Sequence, residues 1–252
     1  MRAAFSHEGL RVYQHALKFY AEIDPIVAGW DSKHAVCDHL QRAAESVVES
    51  IATASATFEK AKASALDYGL GSALEIAACL DIAEIKTFMS HGDVEHLKRE
   101  LGTIFRMLFG LRRSWSEDAV REEDSGYKAG TPTSDCDGRF HHETLDVYQI
   151  ALDAMRWLCI PGMIAELSQK RFRTLDSTVT SMILNIAEGN GRSSDSDQTR
   201  FLKLAHLAAI KAAAQIDLVT AVRLLDAHAG SAGKELLFRV AAMTIAMIRR
   251  RQ

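Results

Sequence analysis

One pattern occurs twice in this chain. His7-Glu8-Gly9-Leu10-Arg11-Val12-Tyr13-Gln14-His15-Ala16-Leu17 lies over His142-Glu143-Thr144-Leu145-Asp146-Val147-Tyr148-Gln149-Ile150-Ala151-Leu152, with eight of eleven positions identical at an offset of 135. Leu40 matches Leu175, Ser46 matches Ser181, and Ile51-Ala52 match Ile186-Ala187 at the same offset. Pro25 matches Pro161 with one extra residue, and Leu111-Arg112-Arg113 closes the first stretch much as Ile248-Arg249-Arg250 closes the second. Matches in this order at a nearly constant offset predict an internal duplication. Whatever fold the chain adopts must therefore be complete in about 110 residues and be made twice.

The period inside each copy is helical. Leu10, Tyr13, Leu17 and Tyr20 recur as one apolar stripe, and Ser6 is a candidate N-cap. This helix is expected to stop near Asp24-Pro25, because proline removes a donor and crowds the preceding turn. A second helix is expected from Lys33 to Thr57 on Leu40, Ala44, Val47 and Ile51. A third is expected from Glu59 to Phe88 on Leu66, Leu70, Leu74, Leu80 and Ile85. Ser90-His91-Gly92-Asp93 then breaks the pattern, with Asp93 as candidate cap for a fourth helix over Val94 to Ser114. Only three prolines occur in 252 residues, which suits an all-helical chain. Four helices joined by short connections predict an antiparallel bundle. The expected architecture is all-α: a first four-helix bundle over 1–114, a linker over 115–139 and a second bundle over 140–252.

The linker lacks apolar periodicity and carries seven acidic against three basic residues between 114 and 139, so it reads as flexible and acidic. Residues 1–113 hold 13 Lys/Arg against 15 Asp/Glu, and residues 140–252 hold 14 against 11. Neither half has the strongly basic body of a dedicated nucleic-acid binder. The four cysteines form no Cys-x-x-Cys pair, no signal-peptide pattern opens the chain, and no uncharged apolar run approaches the ~20 residues of a membrane span. A cytoplasmic protein with reduced thiols and no membrane partner is expected.

The second copy then carries Ser181-Met182-Ile183-Leu184-Asn185-Ile186-Ala187-Glu188-Gly189-Asn190-Gly191-Arg192, followed by Phe201-Leu202-Lys203-Leu204-Ala205. Together with the Leu-x-Val-Tyr-Gln-x-Ala-Leu opening, this resembles the four-helix bundle family of 23S rRNA intervening-sequence proteins. It is also similar to the accessory proteins of diversity-generating retroelements. The resemblance implies a non-enzymatic helical bundle that forms homo-oligomers, with a protein or a nucleic acid as partner. The family's signature has decayed in complementary ways. Asn185, Glu188, Gly189, Gly191 and Arg192 remain in the second copy, where the first has Ser50, Thr53, Ala54, Ala56 and Thr57. The family's Gly-Ser-x-x-Glu survives in the first copy as Gly71, Ser72 and Glu75, where the second has Leu207, Ala208 and Lys211. If these groups meet in the family, each copy here keeps one side of the contact, and the contact is expected to re-form between halves or between chains.

On physical grounds, one of Gly189 and Gly191 is expected to take the left-handed conformation that ends a helix. Ser193 or Ser194 then caps the next helix, with Asp195 and Asp197 at its positive end. Asn185 is expected to bond across the bundle or at an interface. Glu188 and Arg192 form an i,i+4 pair worth ~0.2–0.5 kcal/mol at a surface. The sharper alternative makes Arg192 and that helix start an anion site. Lys170-Arg171-Arg173, Arg200, Lys203 and Arg249-Arg250-Arg251 are the candidate nucleic-acid contacts. Phe172 and Phe201 are the aromatic residues among them, short of the series that a base-stacking platform uses. No Glu is followed by His at i+3, and no His-Glu-x-x-His, phosphate loop or nucleophile elbow occurs. His15, His39 and His206 read as packing or surface residues. No cofactor, no metal and no catalysis are expected.

Overall fold

The computed structural model describes residues 5–57, 59–115, 139–162, 167–192 and 194–251. The expected linker, with Cys136 and Tyr127, lies outside the described residues except for its ends Trp115 and Arg139; Ser193 lies outside them too. Among the described residues the chain is all-α. The helices are α1 (Arg11–Ala28), α2 (Ala35–Ala56), α3 (Glu59–Ile85), α4 (His91–Trp115), α5 (Asp146–Leu158), α6 (Gln169–Asn190), α7 (Asp195–Ala221) and α8 (Ala227–Arg249). In each set of four, every helix packs on the next and the fourth returns to the first. The two sets meet chiefly through α3 and α6, with α2 against α6 and α3 against α5 beside them.

The two bundles repeat the same local devices. A short 3-10 turn, Ser6–Gly9 or His141–Thr144, leads into α1 or α5. The glutamine of Val-Tyr-Gln folds back on that turn: Gln14 Nε2 donates to the Glu8 carbonyl at 3.1 Å, and Gln149 Nε2 to the Glu143 carbonyl at 2.7 Å. Ser6 is thus in the 3-10 turn and bonds Ser55; α1 starts after Leu10 with no side-chain cap. Helix α1 also runs on past Pro25 to Ala28. Pro25 removes one donor from a last turn that stays anchored by fully buried Ile23 and by buried Val27.

At an offset of 136, Thr87 (φ 59°) and Arg223 (φ 58°) take the left-handed conformation that stops α3 and α7. Phe88 N reaches the Ala83 carbonyl at 2.9 Å and Leu224 N the Val219 carbonyl at 3.0 Å, the long bond of a Schellman ending. The next helix is then capped in both bundles. Ser90 Oγ accepts from Asp93 N at 3.2 Å and donates to the Asp93 carboxylate at 2.6 Å, so Ser90 is the cap and Asp93 is not. Asp226 accepts from His228 N and Ala229 N, both at 3.0 Å.

The third helices differ in cover. From Ala73 to Ala83, α3 is buried on nearly every side, because α2 and α4 hold one face and the second bundle the other. Helix α7, of the same length, has only its α6- and α8-facing side covered among the described residues. Replacing either cap, Ser90→Ala or Asp226→Ala, is expected to lower stability by about 1 kcal/mol. Urea unfolding of each variant checks this; an unchanged midpoint would remove the capping assignment.

Candidate functional site at the joint between the bundles

The joint has three polar or close-packed clusters, each built by side chains from both bundles. At the first, Asp176 of α6 enters between α2 and α3. Its Oδ2 accepts from Ala35 N at 2.9 Å, where α2 begins, and Lys86 Nζ donates to its Oδ1. His34 Nδ1 lies 3.2 Å from Lys86 Nζ. The Lys86 and Asp176 side chains are 2% and 0% exposed. Burial pushes the Asp176 carboxyl up, but hydrogen bonding from His34, the Lys86 charge and hydrogen bond, and the Ala35 N–H outweigh it and hold the group below the usual carboxylate range. Phe172 packs edge-on against His34 and under the Lys86 ammonium.

At the second cluster, Lys98 of α4 bonds Asp81 of α3 at 2.5 Å and Glu143 of the second bundle at 2.9 Å. Tyr148 donates to the other Asp81 oxygen at 2.8 Å. Burial lowers the Lys98 ammonium, but the two carboxylates more than compensate and raise it, so it stays charged. Phe140 enters α4 edge-to-face on Phe105 at 5.7 Å. His142 is fully buried between Phe140 and Tyr148, and neither ring nitrogen has a hydrogen-bond partner. Burial, with the nearby Lys98 charge, drives its imidazole well below its ordinary value, so it is neutral. Asp81, His142 and Glu143 lie close enough to ligate a metal. The Lys98 ammonium already supplies the cation between the two carboxylates, so the donor set does not fit a metal.

At the third, the signature residues meet. A Cβ on Gly71 would lie 2.6 Å from Arg192 Nη2 and 3.1 Å from Glu188 Oε1, and one on Gly191 would lie 1.8 Å from Leu74 Cδ1. The Gly71 half of the signature thus faces the Glu188–Arg192 half across the joint. Arg192 Nη2 donates to Glu188, and Nη1 to the Asp67 carbonyl at 3.2 Å. The guanidinium lies over Tyr68 and Phe201. Burial raises the Glu188 carboxyl; Arg192 counters it, and Glu75 adds repulsion. Glu75 itself bonds His39 at 2.8 Å and Ser72 bonds Ser46 at 2.8 Å, both within the first bundle.

Several expectations change here. Gly189 is inside α6 and Gly191 has φ −94°, so neither takes the left-handed conformation. Both are glycine for close approach: a Cβ on Gly189 would meet Phe201 Cβ at 2.8 Å. Asn185 bonds back to Ser181 within its own helix at 2.6 Å. Ser194 caps α7 by accepting from Asp197 N at 3.0 Å. Arg192 is only 10% exposed and committed to protein partners, so it is not an open anion site. The remaining basic residues divide. Arg200, Lys203 and Arg251 border one hollow at the start of α7, with Arg249 and Arg250 beside it. Lys170, Arg171 and Arg173 start α6, about 30 Å away along a 22-residue helix.

The sequence reading missed Lys86, Asp176, Asp81, Lys98, Glu143 and Tyr148. One signal was available: Asp81 and Lys98 recur as Asp217 and Lys234 at an offset of 136, and the second pair also forms an ion pair, at 2.6 Å.

Residues 8–110 match the family model described as 23S rRNA-intervening sequence protein. That stretch falls within the first bundle, which is therefore similar to this family. No curated protein and no solved structure matches the chain. The intervening-sequence match falls on the bundle that lacks the Asn-Ile-Ala-Glu-Gly-x-Gly-Arg string and keeps Gly71, Ser72 and Glu75.

Lys86→Met leaves Asp176 buried without its cation and is expected to cost about 3–5 kcal/mol, with the double variant Lys86→Met/Asp176→Leu recovering most of it. Chemical unfolding of the single and double variants reads this; equal losses in both would show that the pair is not the cause. A second expectation concerns acid. An unfolded histidine takes up its proton near pH 6.5, whereas buried His142 refuses it, so stability falls as pH drops below that value. The His142 share is about 1.4 kcal/mol per pH unit until the folded group itself titrates. His142→Phe is expected to flatten the pH 6.5 to 5 limb by that amount in pH-dependent urea melts, and parallel profiles would exclude the assignment.

Proposed function

We propose that this chain is a non-enzymatic helical scaffold of the intervening-sequence type, working by oligomerisation and contact with protein surfaces. One observation carries the reading. Among the described residues, half of the large exposed apolar side chains, Leu204, Leu207, Ile210 and Leu218 of α7 with Phe238 of α8, belong to two neighbouring helices of the second bundle, while Phe5 and Leu17 are exposed on the first. Such faces mark interaction sites rather than solvent-facing surface.

The reactive groups favour the same reading. At the joint, ammonium, carboxylate and phenol groups are consumed by one another. The Cys37, Cys79 and Cys159 thiols are pushed up by burial, away from the thiolate a nucleophile needs. A cleft beside the joint is lined by Lys33, His34, Lys86, Cys159 and Phe172, but Lys86 and His34 are tied to Asp176.

A second reading, an RNA- or DNA-binding accessory module, draws on Arg200, Lys203 and Arg251 around one hollow. Against it, Asp195 lies in the same hollow, and the Lys170 cluster is at the far end of the bundle. The purified chain is expected to elute free of nucleic acid and to leave labelled single-stranded and duplex RNA unbound at 50–200 mM salt, a range over which phosphate contacts are normally read. RNA binding that falls steeply with salt, and is lost in Arg200→Ala/Lys203→Ala/Arg251→Ala, would replace the scaffold reading with the accessory one.

A further inference from the structure

The joint inside the chain has a counterpart that no described residue fills. Helices α3 and α7 have the same length and correspond at an offset of 136, as do the starts of α4 and α8. The opening turns and first helices correspond at 135. Two faces are therefore left over: the tail face, on α7 and α8, equivalent to the α3–α4 face that the second bundle covers; and the head face, on the first 3-10 turn, α1 and α2, equivalent to the face that does the covering. We propose that the tail face of one chain binds the head face of a second copy, in a head-to-tail joint built like the internal one. This rests on the scaffold reading and specifies how the oligomer forms.

Three correspondences carry it. The first is polar. Inside the chain, the Asp81–Lys98 pair receives Glu143 and the Tyr148 hydroxyl. On the tail face, Asp217–Lys234 forms the same pair but is exposed, 62% and 41% against 14% and 11%. On the head face, Glu8 and Tyr13 stand where Glu143 and Tyr148 do. His7 meets Tyr13 edge-on at 4.6 Å as His142 meets Tyr148 at 4.7 Å. The receiving pair and the inserting groups are both preserved, each without its partner.

The second is aromatic. Phe140 is 1% exposed against Phe105, while its counterpart Phe5 is 73% exposed and stacked on His7. On the tail face, Phe105 is replaced by Ala241, and buried Gly102, one turn earlier, by Phe238, 73% exposed. The aromatic surface that would receive Phe5 has moved by one helical turn and has not been lost.

The third is an exchange of size. Inside the chain, Gly71 faces large Arg192 and Glu188, and Leu74 faces Gly191. At the free faces the counterparts are Leu207 and Ile210 on the tail, against Thr57, Thr53 and Ala56 on the head. Bulk has passed from one side of the joint to the other, so the volumes still complement. Leu218, the counterpart of fully buried Ile82, is 68% exposed and lies near the C-terminal end of the uncovered α7 stripe. That stripe makes α7 long and apolar enough to cross a membrane by length and composition, with a third of the relevant window buried. A head-to-tail joint leaves one head and one tail free at each step, so the assembly closes as a ring or grows as a filament.

Light scattering after size exclusion tests this on the full chain. The wild type is expected at a multiple of the 27.8 kDa single chain. Phe5→Glu on the head and Leu218→Glu on the tail, both at exposed positions, are each expected to give a folded monomer, with helicity by circular dichroism unchanged. Mixed one to one, the two variants keep one good head and one good tail, and are expected to give a dimer of twice the single-chain mass. An oligomer that survives Phe5→Glu alone would overturn the head-to-tail joint and leave a two-fold contact through α7, without touching the scaffold reading. A monomeric wild type would overturn the oligomer itself. A wild-type monomer that pelleted with phosphatidylcholine vesicles would assign the α7 face to a lipid surface.

Discussion

Asp176 is the residue on which the relation between the two bundles turns. A carboxylate at 0% exposure is tolerated only if its charge and its lone pairs are both met. Here the lysine, the imidazole and the first backbone donor of α2 that meet them all belong to the other bundle. The position of α6 against α2 and α3 is therefore fixed by hydrogen-bond geometry as well as by apolar contact, which alone would allow sliding. Lys98 does the same at the second cluster, drawing Asp81 and Glu143 onto one ammonium. Between these anchors, the missing side chains of Gly71 and Gly191 let α3 and α6 approach closely.

Such a joint explains why the third helices look alike in sequence and differ in surroundings. Helix α3 is enclosed because its second face is occupied from within the chain. Helix α7 also carries apolar residues on its outward side, where no described residue covers them. An all-round apolar helix belongs in an interior.

Much of this was legible in the residues. The helical period located the four helices of the first bundle, most ends falling within a few residues, because that signal is local. The signature pointed to the right residues but to the wrong reason. Gly189 and Gly191 follow the last apolar positions of a helix, where a left-handed ending is the usual purpose of glycine. That they are small to admit Phe201 and Leu74 depends on neighbours 12 and over 100 residues away, which no local pattern reports. Asn185 has the short polar side chain that serves equally for a long-range bond or for its own helix, and it took the nearer partner. Asp176 and Lys86 are single charges in amphipathic segments and carry no motif. The twice-occurring Asp and Lys of the third and fourth helices did mark a shared device, and an offset comparison of charged residues alone would have shown it.

The kind of contact placed at the tethered joint has its own consequence. Burying charge is costly unless geometry is well held, and an encounter between free molecules must also overcome lost translational freedom. A tether supplies a high effective concentration and removes most of that second cost. The joint rich in buried ion pairs is the one the chain makes with itself. The outward side of α7 is by contrast mostly apolar, with Leu204, Leu207, Ile210 and Leu218 exposed and its Asp217–Lys234 pair open to solvent. Covalent connection thus makes permanent the contact that a free encounter would find hardest to form.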